Sequence, residues 1–182
     1  MADLPEQMVA LGSSRSVIRE LAEYGWQRAA QVGADNVFDF SIGNPSVPPP
    51  QQVTDTILDL VQHTDPIALH GYTSSPGDMA CKELLAASLT RRFGMTHRAD
   101  NVYSVAGAAS ALCCCFKGLT LPGDEYVTIT PCFVEYGVYC AGAGGVLRTV
   151  SADTATFQPD FAALEAAITP RTKGVLVNSP NN

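Results

Sequence analysis

From Asn101 onward the chain alternates short apolar runs with longer amphipathic stretches. The short runs are "YVTI" from Tyr126, "GVLRTV" from Gly145 and "GVLV" from Gly174. Between them stand "CFVEYGVYCAGA" and "DFAALEAAI", which have helical length and spacing. Strands separated by helices cannot pair as hairpins. They pair in parallel, through right-handed crossovers. "YVTI" and "GVLV" are nearly continuous apolar runs, as expected for a sheet covered on both faces. The pattern therefore predicts an α/β fold of three layers, α/β/α, around a mostly parallel sheet. In such sheets ligands gather at the C-terminal ends of the strands. The residues that follow each strand are the ones to examine.

The first hundred residues prepare that sheet. "SSRSVIRELAEYGWQRAAQVG" carries an apolar stripe at Val17, Ile18, Leu21, Ala22, Trp26, Ala29 and Ala30 and reads as a helix. "VFDFSI" (37–42) reads as a short strand, and "GNPSVPPP" as a rigid extended connector. "QQVTDTILDLVQHT" is an amphipathic helix, "LHGYTSSPGD" a loop, and "MACKELLAASLTRRFG" a helix closed by Gly94. "NVYSV" is an extended piece leading into the helix "AGAASALCCCFKGLTL".

Three strand-end or helix-start segments could carry chemistry. In "AGAAS" the backbone at Gly107 can approach a ligand closely. The amides of Ala108 and Ala109 would point out of a helix N-terminus, which suits an anion such as phosphate. In "PCFVEYG" the ring of Phe133 sits where it could cover a planar ligand. In "NSPNN" an Asn can read a phenolic or carbonyl oxygen with a donor and an acceptor. Taken singly, each of these is also an ordinary turn or packing feature.

Composition removes several function classes. The net charge of −7 gives no basic footprint for nucleic acid or an anionic membrane surface. No apolar stretch is long enough to span a bilayer, and "MADLPEQMVALGSS" lacks the pattern of a secretory signal. These features predict the cytoplasm. The six cysteines, including the triplet Cys113–Cys114–Cys115, fit neither a zinc nor a disulfide spacing. The triplet is expected to be made of buried small hydrophobes, and no metal site is expected. The three histidines form no ligand cluster.

In combination, "FSIGNPSVPPP", "HGYTSSPGDMACKELLAASLTRRFG", "NVYSVAGAASAL", "LTLPGDEYVTITPCFVEYG" and "VLVNSPNN" resemble the class I aminotransferases. These are fold-type I enzymes dependent on pyridoxal 5′-phosphate (PLP). The resemblance runs from Phe38 to Asn182. It implies an aminotransferase that moves an amino group from an L-amino acid to a 2-oxo acid, working as a homodimer with shared sites. Residues 1–47 would be an N-terminal helix and arm belonging to the small domain or lid. Residues 48–182 would be the first part of the PLP-binding large domain.

The resemblance also implies roles for individual residues. Gly43 would lie by the substrate carboxylate. Tyr72 would reach across a dimer interface to the cofactor phosphate of the other subunit. Gly107, Ala108 and Ala109 would form the phosphate cup through their backbone, with Ser110 a weaker side-chain candidate. Phe133 would stack on the pyridine ring, and Asn182 would hydrogen-bond the ring oxygen. A Schiff-base lysine is needed for the chemistry. Lys82, Lys117 and Lys173 are the lysines present, and all three read as solvated surface residues away from the strand ends. No catalytic residue is therefore assigned. The chain reads as the N-terminal part of such an enzyme, inactive as it stands, with an open sheet edge that favours aggregation or self-pairing. Two other readings remain at this point: another fold-type I PLP enzyme such as a C–S lyase or a synthase, and a non-catalytic phosphate- or nucleotide-binding α/β module.

Overall fold

In the computed structural model, which describes residues 3–13, 15–43 and 45–180, the alternating part of the chain closes into a small parallel sheet. Its strands are β1 (Glu125–Thr130), β2 (Val146–Ser151) and β3 (Thr172–Leu176), in the order β2-β1-β3. Tyr126 is level with Leu147 and with Gly174, and Thr128 with Thr149 and Leu176. The described residues divide into two units, one ending at Gly71 and the other starting at Tyr72.

The first unit contains α1 (Glu6–Ser13), α2 (Val17–Val32), α3 (Gln51–His63) and α4 (Pro66–His70). The short α4 falls just before and within the expected loop. It is started by Asp65, whose carboxylate accepts the amides of Ile67 and Ala68, with Pro66 as its first residue. The expected strand over 37–42 is not a strand. Its backbone is extended at Val37 but no neighbouring strand pairs with it, and a strand exists only through its partner.

The second unit holds α5 (Met79–Phe93), α6 (Gly107–Leu119), α7 (Glu135–Gly142) and α8 (Phe161–Ala167) with the sheet. Asp78 caps α5 through the Cys81 amide, and Gly94 closes it in the left-handed conformation. The step from β1 to β2 moves one way across the sheet, and the step from β2 to β3 moves back over β1. Right-handed crossovers then put α7 and α8 on opposite faces. On one face, Phe116 of α6 packs edge-on against Tyr126, with ring centroids 4.7 Å apart, and Cys140 of α7 completes the cluster. On the other, Val127 and Val150 are buried, and α8 packs on β1 and β2.

Two expectations about side chains are corrected here. Cys113, Cys114 and Cys115 are exposed rather than buried. Consecutive helical residues fan out around the axis, and the inward face of α6 is already taken by Leu112 and Phe116. Lys82, expected on the surface, is only 4% exposed. Lys117 is exposed, and Lys173 pairs with Asp124 at 3.6 Å.

The turn into β2 is tight for a physical reason. A Cβ at Gly145 would lie 2.9 Å from the Cys140 sulfur and 3.1 Å from the Thr120 methyl. Cys140 is fully buried and cannot swing away. Gly145→Ala is expected to cost about 1–3 kcal/mol through overpacking. A urea titration would check this, and an unchanged midpoint would refute it.

Candidate functional site

The three strands point the same way, so their C-terminal ends share one edge of the sheet. A cleft of about 610 Å³ opens there. Its walls are Thr128 and Ile129 of β1, Leu176 of β3, the following Val177–Pro180 segment, and Ala152 and Phe157–Pro159 after β2. Pro131, Cys132 and Tyr136 close it from the β1–α7 connection. The Thr128 hydroxyl donates to the Leu176 carbonyl at 3.0 Å, so this polar group is satisfied within the wall. A space of this size suits a small organic ligand.

Ideal helix and strand rises, counted from the contact of Phe116 with Tyr126, bring the N-terminus of α6 towards the same edge. α6 leads into β1 through a short turn and packs against it through Phe116 and Tyr126. From Phe116 back to Gly107 the helix rises about 13 Å at 1.5 Å per residue. From Tyr126 forward to Thr130 the strand advances about 13 Å. The start of the helix is therefore level with the end of the strand. Ala106 offers no side-chain cap there. Gly107 has φ +83°, and nothing lies within 4 Å of where its Cβ would be. Ser110 turns its hydroxyl back to the Ala106 carbonyl at 3.0 Å. The result is a terminus without a side-chain cap on a 13-residue helix, with Gly107, Ala108 and Ala109 exposed; the Gly107 amide, expected in the cup, donates instead to the Val105 carbonyl at 2.9 Å, which leaves those of Ala108 and Ala109. The partial positive charge of the terminus suits a phosphate.

The other expected residues fall in different places. Phe133 is half-buried, with its ring edge-on to Tyr136 at 5.6 Å. Tyr136 lines the cleft, and Phe133 is one contact removed from it. Tyr72 is fully exposed at the start of its loop. Gly43 belongs to the first unit and is open to solvent. Asn182 lies outside the described residues. Asn178, Phe157 and Gln158 line the cleft without having been singled out as site residues. No sequence signal marks Phe157, whose backbone adopts φ +56° in a loop tied by Asp153. The amide and hydroxyl of Thr156, with the Ala155 amide, hold the Asp153 carboxyl below its ordinary value of 3.8. Lys82, Lys117 and Lys173 are not among the cleft residues. No group of three or more metal-ligating side chains gathers among the described residues, and no helix there is long and apolar enough to cross a membrane.

The chain is similar to proteins of known structure and sequence. An amino transferase from Eubacterium rectale has a solved structure that superimposes with a TM-score of 0.94 at 52% identity, covering 100% of this chain and 46% of that one. The solved aspartate aminotransferase of Thermotoga maritima gives a TM-score of 0.81 at 29% identity over 93% of this chain and 44% of that one. In sequence, the aspartate aminotransferase of the same organism is 30% identical over 149 residues, 81% of this chain and 38% of the relative. The chain thus spans less than half the length of the relatives it matches. Its sheet and helices are a piece of the fold-type I architecture. The model of the family described as aminotransferase class I and II matches residues 35–182, and the chain belongs to that family.

Proposed function

We propose that the complete protein to which this chain belongs is a PLP-dependent aminotransferase that moves an amino group from an L-amino acid to a 2-oxo acid. Members of the family work with pyridoxal 5′-phosphate. The observation that carries the reading is the cleft at the C-terminal ends of parallel strands, and the helix α6, which starts without a side-chain cap, supports it. The residues present fit the cofactor's groups. Gly107 leaves room for a phosphate against the backbone, and the cleft has space for a ring.

When bound, the cofactor supplies an electron sink for the substrate's α-carbon. The chain's own residues bind and orient it. The amides of Ala108 and Ala109 hold the phosphate, and Gly107, whose own amide donates to the Val105 carbonyl at 2.9 Å, leaves room for it to approach. Phe133 limits ring tilt, with Tyr136 supporting it from the edge. Asn182 holds the ring oxygen and favours its ionised form. Tyr72 reaches the phosphate in the second subunit of a homodimer, and Gly43 lies by the substrate carboxylate. Residues 1–47 act as arm and lid, residues 48–182 as the first part of the cofactor domain, and the protein works in the cytoplasm.

Phosphate recognition gives a sharp test. In the complete protein, Gly107→Val should raise the Kd for PLP roughly tenfold and leave that for unphosphorylated pyridoxal unchanged. Equal losses for both ligands would refute the phosphate role. The complete protein should show a visible absorption band with PLP and convert an L-amino acid to its 2-oxo acid without releasing ammonia. Absence of the band would support a non-catalytic module, and ammonia release a lyase. The 182-residue chain alone should show no turnover, since its lysines are not among the residues that line the cleft. Turnover that survives purification would overturn that assignment.

A further inference from the structure

Lys82 is 96% removed from solvent, since its exposure is 4%. It stands three residues after Met79 opens α5, where a positive charge works against the helix dipole. No ion pair among the described residues reaches it. Its contribution is therefore its long methylene stem, which fills space as an apolar side chain would. The stem runs beside the end of the loop "YTSSPG", which spans Tyr72 to Gly77. The Cβ direction of Gly77 ends 3.9 Å from the Lys82 Cδ.

The same loop is tied from two other sides. Within it, the Gly77 amide donates to the Ser74 carbonyl at 2.8 Å, and the Ser74 hydroxyl donates to the Gly77 carbonyl at 2.6 Å. Across from it, the Tyr103 hydroxyl donates to the Ser75 carbonyl at 3.2 Å, a bond between residues 28 positions apart. At the start of this seated loop Tyr72 is fully exposed and projects outward. The loop is held while its aromatic is left free, which is the arrangement needed to present a side chain to something else.

We infer that Lys82 and Tyr103 are positioning residues for Tyr72. They fix the 72–77 loop so that the Tyr72 hydroxyl is presented at a constant height to the phosphate of a cofactor held by a second copy of the protein. The inference rests on the reading of Tyr72 given above. Lys82 acts by its stem, Tyr103 by its hydrogen bond, and neither touches the phosphate.

Hydrogen exchange on the full 182-residue chain tests the seat itself. Lys82→Ala and Tyr103→Phe should each speed amide exchange at Thr73, Ser74, Ser75 and Gly77 by about tenfold or more, with exchange in β1 unchanged. Lys82→Met keeps an unbranched stem without the charge and should retain the protection. Tyr103→Phe is a conservative change at an exposed ring, so the test stands even where Lys82→Ala fails to fold. Unchanged exchange in Tyr103→Phe, or loss of protection in Lys82→Met, overturns the inference. In the complete protein, Tyr72→Phe and Tyr103→Phe should both weaken PLP binding and leave pyridoxal binding alone. If Tyr103→Phe loosens the loop while Tyr72→Phe leaves PLP affinity unchanged, the phosphate role of Tyr72 is wrong and only the seat remains.

Discussion

Glu125→Ala should lower the thermal midpoint of the chain by on the order of 10 °C. Glu125 opens β1 with its side chain 2% exposed, the most enclosed charge among the described ion pairs. Arg148 grips it with two nitrogens, Nε to Oε2 and Nη2 to Oε1, each at 2.8 Å. Arg171 adds Nη2 at 2.6 Å and Nε at 3.0 Å to Oε1, and the Thr169 hydroxyl donates to Oε2 at 2.7 Å. One residue thus joins β1, β2 and the turn before β3 at the N-terminal edge of the sheet. Removing it leaves two guanidinium groups facing each other without a counter-charge. Glu125→Gln should be nearly as damaging, because its amide nitrogen would face a donor.

The same cluster sets a pH signature. The hydrogen bond from Arg148, then those from Thr169 and Arg171, hold the Glu125 carboxyl far below its ordinary 4.5. A depressed folded-state value means the unfolded chain takes up the proton first. The stabilisation is then fully present above pH 4.5 and is lost as the pH falls below it. The stability difference between wild type and Glu125→Gln should be largest near neutrality and shrink on descending below pH 4.5. Chemical denaturation at a series of pH values would show it. A difference that stays constant down to pH 3 would contradict the account.

Phe116→Ala is expected to cost about 3–5 kcal/mol, part of it cavity and part lost transfer energy. Phe116 is 4% exposed and carries much of the contact between α6 and the sheet. Its edge-on contact with Tyr126 adds to simple burial by about 1 kcal/mol. The Tyr126 hydroxyl is itself fixed at 3.0 Å from Thr120, so the ring cannot follow into the cavity. Phe116→Leu keeps most of the volume and should lose about 1.5 kcal/mol or less. Urea unfolding followed by far-UV circular dichroism would separate the two. Equal losses would mean that the aromatic contact is not what holds α6 in place. The effect reaches the site, because α6 also presents Gly107 at the other end of the same packing.

The residues of the candidate site were legible to different depths. Gly107 could be read because a glycine opening a helix is a local event, and the helix starts there. Tyr72 and Phe133 are expected in the site as members of ordered motifs, and their exposure and packing could not be read. Phe157 and Gln158 were invisible, since their place in the cleft depends on a loop folded back by Asp153. The segment over 37–42 shows the opposite failure. Its alternation has the period of a strand, but period describes a side-chain pattern and supplies no neighbour to bond with.

The sequence by itself determined the order of strands and helices after Asn101 and their parallel sense. Both follow from short-range facts, namely apolar period and the length of chain between strands. Only the tertiary structure decided that β1 is central, that Glu125 is enclosed by two arginines, that Lys82 lies under a loop, and that Cys113–Cys115 face outward. Each of these depends on which surface another element covers. Coverage is settled by packing between residues far apart in the chain, so no local pattern carries it.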